Sequence, residues 1–386
     1  MHYTAKYHEL KAAFIPGQDI SGFSEEGLSC KWTYFQSHNT NAISRERNAR
    51  IHSRPESIDD ESINENRSFI YPVFLKDDDK QKQRSPIVLL HGLNERSWLK
   101  YLVWAVYLAH YTSRPVILFP IAFHMNRSPL IWGNPRAMAP VLDSRREKLG
   151  NTLLTTVANV ALSERLSEDP LRFYTSGQQS AADIVQLLTQ LKTGTHPLLK
   201  ASGPVDFFAY SIGAFLAQIL MIGNPASLLS DSRLFLFCGG AFFDQMNGVS
   251  KLIMDQPAFE RLRRYYINEL DDEIQQSPLL SQSLRSTELG QAFMSMLSND
   301  NNKQFRADAF LRLQNQIFTL ALESDKVIPA YGVAQAMGFM KNTRITNFPF
   351  PCIHENPFPI FGDINESGLV DTAFEDVFSQ AAGYLA

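Results

Sequence analysis

Cysteine is scarce in these 386 residues. Cys30, Cys238 and Cys352 lie far apart and form neither a Cys-x-x-Cys motif nor a disulfide framework. A reducing compartment, and hence a cytoplasmic location, is the simplest reading. Long hydrophobic runs are missing too: the longest, residues 101–111, falls short of the ~18 residues that span a bilayer. The first residues carry no apolar signal-peptide core, so no membrane span is expected. Charge of one sign is equally thin, with 36 Lys and Arg against 40 Asp and Glu and no basic block. That balance excludes the electrostatic footprint of a nucleic-acid binder. No P-loop, dinucleotide fingerprint or zinc pattern occurs, and Gly239-Gly240 lacks the spacing of a phosphate cradle. No cofactor and no metal are called for. Internal repeats and low-complexity tracts are absent as well. Aromatics, by contrast, are plentiful: the 27 Phe point to a Phe-rich core, or secondarily to an apolar pocket.

From about residue 69 the hydrophobic pattern alternates between two kinds of segment. Phe69 to Leu75, Pro86 to Leu90, Val116 to Phe119, Val205 to Tyr210, Leu234 to Cys238, Ile317 to Leu322 and Thr343 to Phe348 read as strands. Several are apolar without alternation, the mark of strands covered on both faces. Helical spacing appears in Ser97 to His110, Ser180 to Leu191, Tyr331 to Met337 and Leu369 to Leu385. Such alternation predicts an α/β protein with a mostly parallel sheet and helices on both faces. Two stretches interrupt the repeat and are read as insertions. One spans about 126–177, with helical spacing at Leu153, Leu154, Val157, Val160 and Ala161; the other spans about 245–309. Residues 1–68 form an extension expected to pack on the core, ahead of one large domain over 69–386. Within and after that extension, Ser44 to Arg47 and Ser57 to Ser62 read as loop or surface helix, and Lys76 to Lys82 as a charged turn.

The most informative segment runs from Val205 to Gln218: a buried strand, a tight turn, then a helix, with Ser211 at the turn. Ala209 and Gly213 flank it at two residues on either side. A strand that passes into a helix at one residue crowds its neighbours, so only small side chains fit at those flanks. A serine hydroxyl needs a base, an orienting acid and oxyanion donors. Each has a candidate just past a predicted strand. His91-Gly92-Leu93-Asn94 follows the first buried strand, offering the Leu93 N–H as one oxyanion donor with the Ile212 N–H as the other; His91 would brace the loop. Asp325 follows the strand ending at Leu322, and Asp244 is its rival because it follows the preceding strand. Glu323 is less well placed. His354 lies in a loop beyond the last strand and is the only C-terminal histidine.

Taken together, the HGL loop (His91 to Leu93), the AYSIG turn (Ala209 to Gly213), the ESDKVIP segment (Glu323 to Pro329) and the IHENPF loop (Ile353 to Phe358) resemble the α/β-hydrolase superfamily over roughly residues 69–386. Chain order Ser, Asp, His agrees with it. Ala209, where that pattern has Gly, is a mild departure. The resemblance implies a mostly parallel sheet of about eight strands and a helical cap where 245–309 falls, between the sixth and seventh strands.

The expected function is that of a serine hydrolase acting on a carboxylic ester or related acyl bond of a small molecule, with Ser211, His354 and Asp325 as the triad. The alternatives are an acyltransferase that uses the same acyl-enzyme, and a non-catalytic binding protein on a hydrolase scaffold. His124, Asn94 and Tyr210 are candidates for the substrate pocket, although a structural, hydrogen-bonded His124 competes with that role. Arg127, Trp132 and Arg136 are weaker candidates for an anionic or aromatic group.

Overall fold

The computed structural model describes residues 1–38, 43, 59–76, 78, 82, 84–150 and 154–386. The readings for residues 44–47, for 57 and 58, and for most of the charged turn at 76–82 lie outside the described residues, as does Leu153. Among the described residues, eight strands form one sheet: β1 (Leu28–Gln36), β2 (Ser68–Lys76), β3 (Ile87–Leu90), β4 (Val116–Leu118), β5 (Asp206–Tyr210), β6 (Leu234–Phe237), β7 (Ile317–Leu322) and β8 (Thr343–Thr346). Their spatial order is β1-β2-β4-β3-β5-β6-β7-β8. The pairs β1–β2 and β2–β4 are antiparallel, and every pair from β4–β3 to β7–β8 is parallel. This is the mostly parallel, eight-stranded sheet that the α/β-hydrolase resemblance implies. The segment 1–68, expected as an extension, also contributes the outermost strand, since β1 pairs with β2 from Leu28↔Lys76 to Gln36↔Ser68.

Alternating side chains divide the core in two. Val88 and Leu90 face one cluster while Ile87 and Leu89 face the other. The helices α1 (Tyr3–Ala13), α2 (Leu99–Thr112), α3 (Arg172–Thr193), α4 (Ile212–Gly223), α5 (Ala330–Met337) and α6 (Ile364–Leu385) sort accordingly. Residues of α1, α2 and α6 join Ile87 and Leu89, and residues of α3, α4 and α5 join Val88 and Leu90. Much of the Phe content is spent on this packing. Trp104 of α2 meets Phe208, Phe237, Phe358 and Phe378 with ring centroids 5.4 to 6.0 Å apart. Offset and edge-on pairs of this kind add about 0.5–1.5 kcal/mol each beyond the area they bury.

The two long connections are helical. Between β4 and α3 lie helices at Pro135–Leu149 and Val160–Glu168; between β6 and β7 a series runs from Gln256 to Leu313. The first differs from the sequence reading, in which helical spacing starts before residue 160. Asn159 is the reason. Its side chain donates to Leu154 O (2.7 Å) and Ser250 O (2.8 Å) and accepts from Thr156 N (3.0 Å). Residues 154–159 are thereby folded into turns, and the helix begins only at Val160.

Candidate active site

Ser211 sits where β5 passes into α4, with φ 57° and ψ −121°. A non-glycine residue in that region costs on the order of 1–3 kcal/mol and persists only where its surroundings hold it. The surroundings explain the small neighbours. A Cβ on Gly213 would lie 2.8 Å from His91 O and from Leu90 C and Cβ, and one on Gly239 would lie 2.3 Å from Ala214 Cβ. The turn therefore closes against the end of β3 and the start of the HGL loop. The Gly213 N–H donates to His91 O at 3.1 Å, joining the two loops.

His91 is buried and braces its loop. Its Nε2 accepts from Ile121 N (2.9 Å) and its Nδ1 donates to Gly92 O (2.8 Å). Burial holds the ring's pKa well below the usual histidine value, so it stays neutral with one donor and one acceptor, as those two bonds require.

Three side chains far apart in sequence converge at the C-terminal rim of the parallel strands. His354 Nε2 lies 2.7 Å from Ser211 Oγ, and His354 Nδ1 lies 2.7 Å from Asp325 Oδ2. All three residues are buried. A carboxylate accepts only, so Nδ1 carries the proton and donates to Asp325, leaving Nε2 to accept from the serine hydroxyl. Asp325 is itself fixed: its Oδ1 accepts from Val327 N (2.8 Å) and Ile328 N (2.9 Å). Asp244, the rival acid, makes no bond to His354. Burial raises its pKa, and its Oδ1 has no partner among the described residues.

Of the other sequence candidates, Leu93 and Ile212 both line the cavity that holds Ser211. Ile212 is the first residue of α4, where backbone N–H groups have no partner within the helix. His124 also lines a cavity wall. It is neutral, with its pKa pushed down to about 4 by burial and by nearby arginines. Asn94 joins the two long connections, donating to Ala158 O (2.9 Å) and Leu252 O (2.6 Å). Tyr210 departs from its expected place in the pocket. It is wholly buried behind His354, its ring stacked on the imidazole at 5.4 Å and its hydroxyl donating to His354 O. Strand alternation decides this, because Tyr210 lies two residues beyond Phe208 on β5 and so shares its face, in the aromatic core. Arg127 belongs to the scaffold: its guanidinium, 0% exposed, meets Asp183 at 2.6 Å. Arg136 is exposed on the surface.

Among the described residues, one cavity holds Ser211 and two others share Leu93 and Phe173 with it. An apolar one of about 40 Å³ holds Ser211 between Phe243, Met254, Phe259, Leu262 and Val327. A larger apolar chamber of about 350 Å³ lies between α3 and α4, lined by Ile121, Ala181, Phe215, Ile219, Leu289 and Phe293 among others. A third, of about 40 Å³, contains Arg96, Trp132, Arg165 and Arg172. Neither Arg96 nor Phe173, which faces all three cavities, was singled out from sequence; a lone loop arginine and one more phenylalanine carry no motif. Among the described residues no cluster of His, Cys, Asp and Glu is arranged to hold a metal ion, and no helix is long and apolar enough to cross a membrane.

The sheet order, the strained serine turn and the helices on both faces define an α/β-hydrolase scaffold. The chain belongs to a family of unknown function (DUF6051), whose model matches residues 1–386. No curated protein matches it. Solved structures similar to it include a bacterial heroin esterase (10% identity, 99% of this chain and 91% of that one covered, TM-score 0.47). A carboxyl esterase from Tuber melanosporum is similar at 10% identity, with 90% and 100% covered and a TM-score of 0.45. A peroxisomal α/β-hydrolase from Saccharomyces cerevisiae is similar at 12% identity, with 91% and 90% covered and a TM-score of 0.39. At these scores the fold assignment rests on the chain's own sheet.

Proposed function

We propose that this protein is a serine hydrolase that cleaves a carboxylic ester or related acyl bond of a small molecule. The observation that carries the reading is the unbroken hydrogen-bond chain from Asp325 through His354 to Ser211, with 2.7 Å at each link. Ser211 Oγ attacks the acyl carbonyl carbon while its proton passes to His354 Nε2, and Asp325 stabilises the imidazolium that forms. The carbonyl oxygen, now negative, is held by the N–H groups of Leu93 and Ile212. Collapse expels the alkoxide leaving group, which takes the proton from His354, and an acyl-enzyme remains. Water then gives a proton to His354 and its oxygen to the acyl carbon, and the proton returns to Ser211 as the acid departs. In this reading the helices from Gln256 to Leu313 act as a cap, supported by Phe259 and Leu262 on the wall beside the serine. Each residue of the chain is regenerated, so the cycle calls for no cofactor.

The test is covalent labelling with a fluorophosphonate probe alongside turnover of simple aryl esters. Wild type is expected to take up one probe per chain, and Ser211→Ala to take up none while keeping its melting temperature within a few degrees. Equal labelling of the two proteins rejects the assignment.

A further inference from the structure

Leu93 and Phe173 line all three cavities, so the cavities adjoin at these two side chains, and one of the three holds Ser211. The third cavity differs from the others in charge. Arg165 and Arg172 on its walls have counter-charges: Asp60 lies 2.7 Å from Arg165 and 3.6 Å from Arg172, and Glu168 lies 2.6 Å from Arg172. Arg96 has none. Its guanidinium donates to two neutral oxygens, Asn94 Oδ1 at 3.2 Å and Ser128 Oγ at 3.4 Å, and no acid pairs with it among the described residues. Burial alone acts on it, lowering its pKa to about 10. His124, on the same wall, is 8% exposed; its Nδ1 donates to Ala122 O (2.8 Å), and its Nε2 has no partner among the described residues.

Buried charges in proteins are paired, because desolvating a lone ion is costly. Here a partly desolvated cation and a histidine whose Nε2 has no partner among the described residues line one small cavity that shares Leu93 and Phe173 with the cavity holding a candidate nucleophile. We propose that this cavity is a subsite for a carboxylate carried by the acyl compound that Ser211 attacks, with Arg96 as its principal ligand. The proposal rests on the serine-hydrolase reading and narrows its substrate class to esters with a carboxylate on the acyl or alcohol part, such as half-esters of dicarboxylic acids. The planar guanidinium fork matches a carboxylate at two points, and the contacts to Asn94 and Ser128 orient it beforehand. A space of about 40 Å³ suits one such group, while the chamber of about 350 Å³ takes the apolar remainder.

The experiment compares p-nitrophenyl hydrogen glutarate with p-nitrophenyl pentanoate, nearly the same size but neutral, on wild type, Arg96→Met and Arg96→Lys. Wild type is expected to favour the acid in kcat/KM by about tenfold or more, as a charge-assisted hydrogen bond supports. That ratio should fall about 10- to 100-fold in Arg96→Met and partly recover in Arg96→Lys. A wild-type ratio at or below one overturns the subsite, as does an unchanged ratio in a folded Arg96→Met. Should Arg96→Met fail to fold, slowing of probe labelling on wild type decides: glutarate protecting at lower concentration than inorganic phosphate supports the carboxylate, and the reverse order overturns it. Turnover of the neutral ester without acid preference removes the subsite alone. Absence of both labelling and turnover removes the hydrolase reading with it.

Discussion

Replacing Asp325 by Asn tests the site more sharply than deleting the serine, because the surrounding bonds dictate what the amide must do. Asp325 Oδ1 accepts two backbone N–H groups, from Val327 at 2.8 Å and Ile328 at 2.9 Å. An amide nitrogen cannot accept, so Asn must keep its oxygen there and turn its NH2 toward His354 Nδ1. That nitrogen then has to accept, which moves the imidazole proton to Nε2. There it faces Ser211 Oγ, 2.7 Å away, as a donor where the reaction needs an acceptor. Size and burial are almost unchanged, so the fold should survive. Loss of the correct tautomer in a serine-histidine-acid site costs about 10⁴-fold in kcat, or about 5.5 kcal/mol of transition-state stabilisation. Steady-state turnover of an aryl ester by wild type and Asp325→Asn gives that number directly. Fluorophosphonate labelling should slow in parallel, since it uses the same proton transfer. Asp325→Ala should instead lose stability as well, because two buried N–H groups lose their acceptor at about 1–3 kcal/mol each. A loss under tenfold in Asp325→Asn, with the protein folded, refutes the tautomer argument and with it the role given to Asp325.

Two further outcomes bear on the scaffold. Gly213→Ala places a methyl 2.8 Å from His91 O and Leu90, so the protein should lose about 1–3 kcal/mol of stability by urea titration; a change within 0.5 kcal/mol, roughly the noise of surface substitutions, contradicts the crowded-turn account. The pH dependence follows from buried histidines. Burial holds His124 and His196 at about 4, below the unfolded value of about 6.5. The unfolded chain therefore binds more protons between those limits, so this contribution is complete above about pH 6.5 and is lost as pH falls toward 4. From pH 7 to 5 each histidine should cost roughly 2 kcal/mol. Urea midpoints measured across that range should fall with acid, and the slope should flatten in His196→Phe; a flat wild-type profile contradicts both shifts.

How far the chain could be read in advance depended on whether a signal was local. The central strands β3, β5, β6 and β7 are covered on both faces, so they show as nearly continuous apolar runs, broken only by Asp206 and Thr319, whose neighbours need not be known. The serine turn was legible for a similar reason, since the demand for small residues at 209 and 213 lies within a few residues of Ser211. β1 was not. Among the strands it pairs with β2 alone, and exposed Tyr34 and Gln36, with half-buried Lys31, dilute its apolar pattern. Asp325 and Asp244 both follow strands and share one sequence signature. Only the amides of Val327 and Ile328, together with the reach of the 354 loop, separate them.

The cavities mark the other boundary, and the reason is connectivity. Each wall draws on segments that meet only in the folded chain: the 93–96 loop, α3, α4 and the long helical connections. Asn94 illustrates the dependence. Its single amide holds Ala158 and Leu252 together, nearly a hundred residues apart, while its oxygen steadies Arg96. Shape and charge beside the serine thus follow from hydrogen bonds between two connections whose own helical spacing shows only which faces are apolar. A residue such as Arg96 becomes informative only when the acids near it have been assigned to other partners, and that assignment is a property of the packed molecule.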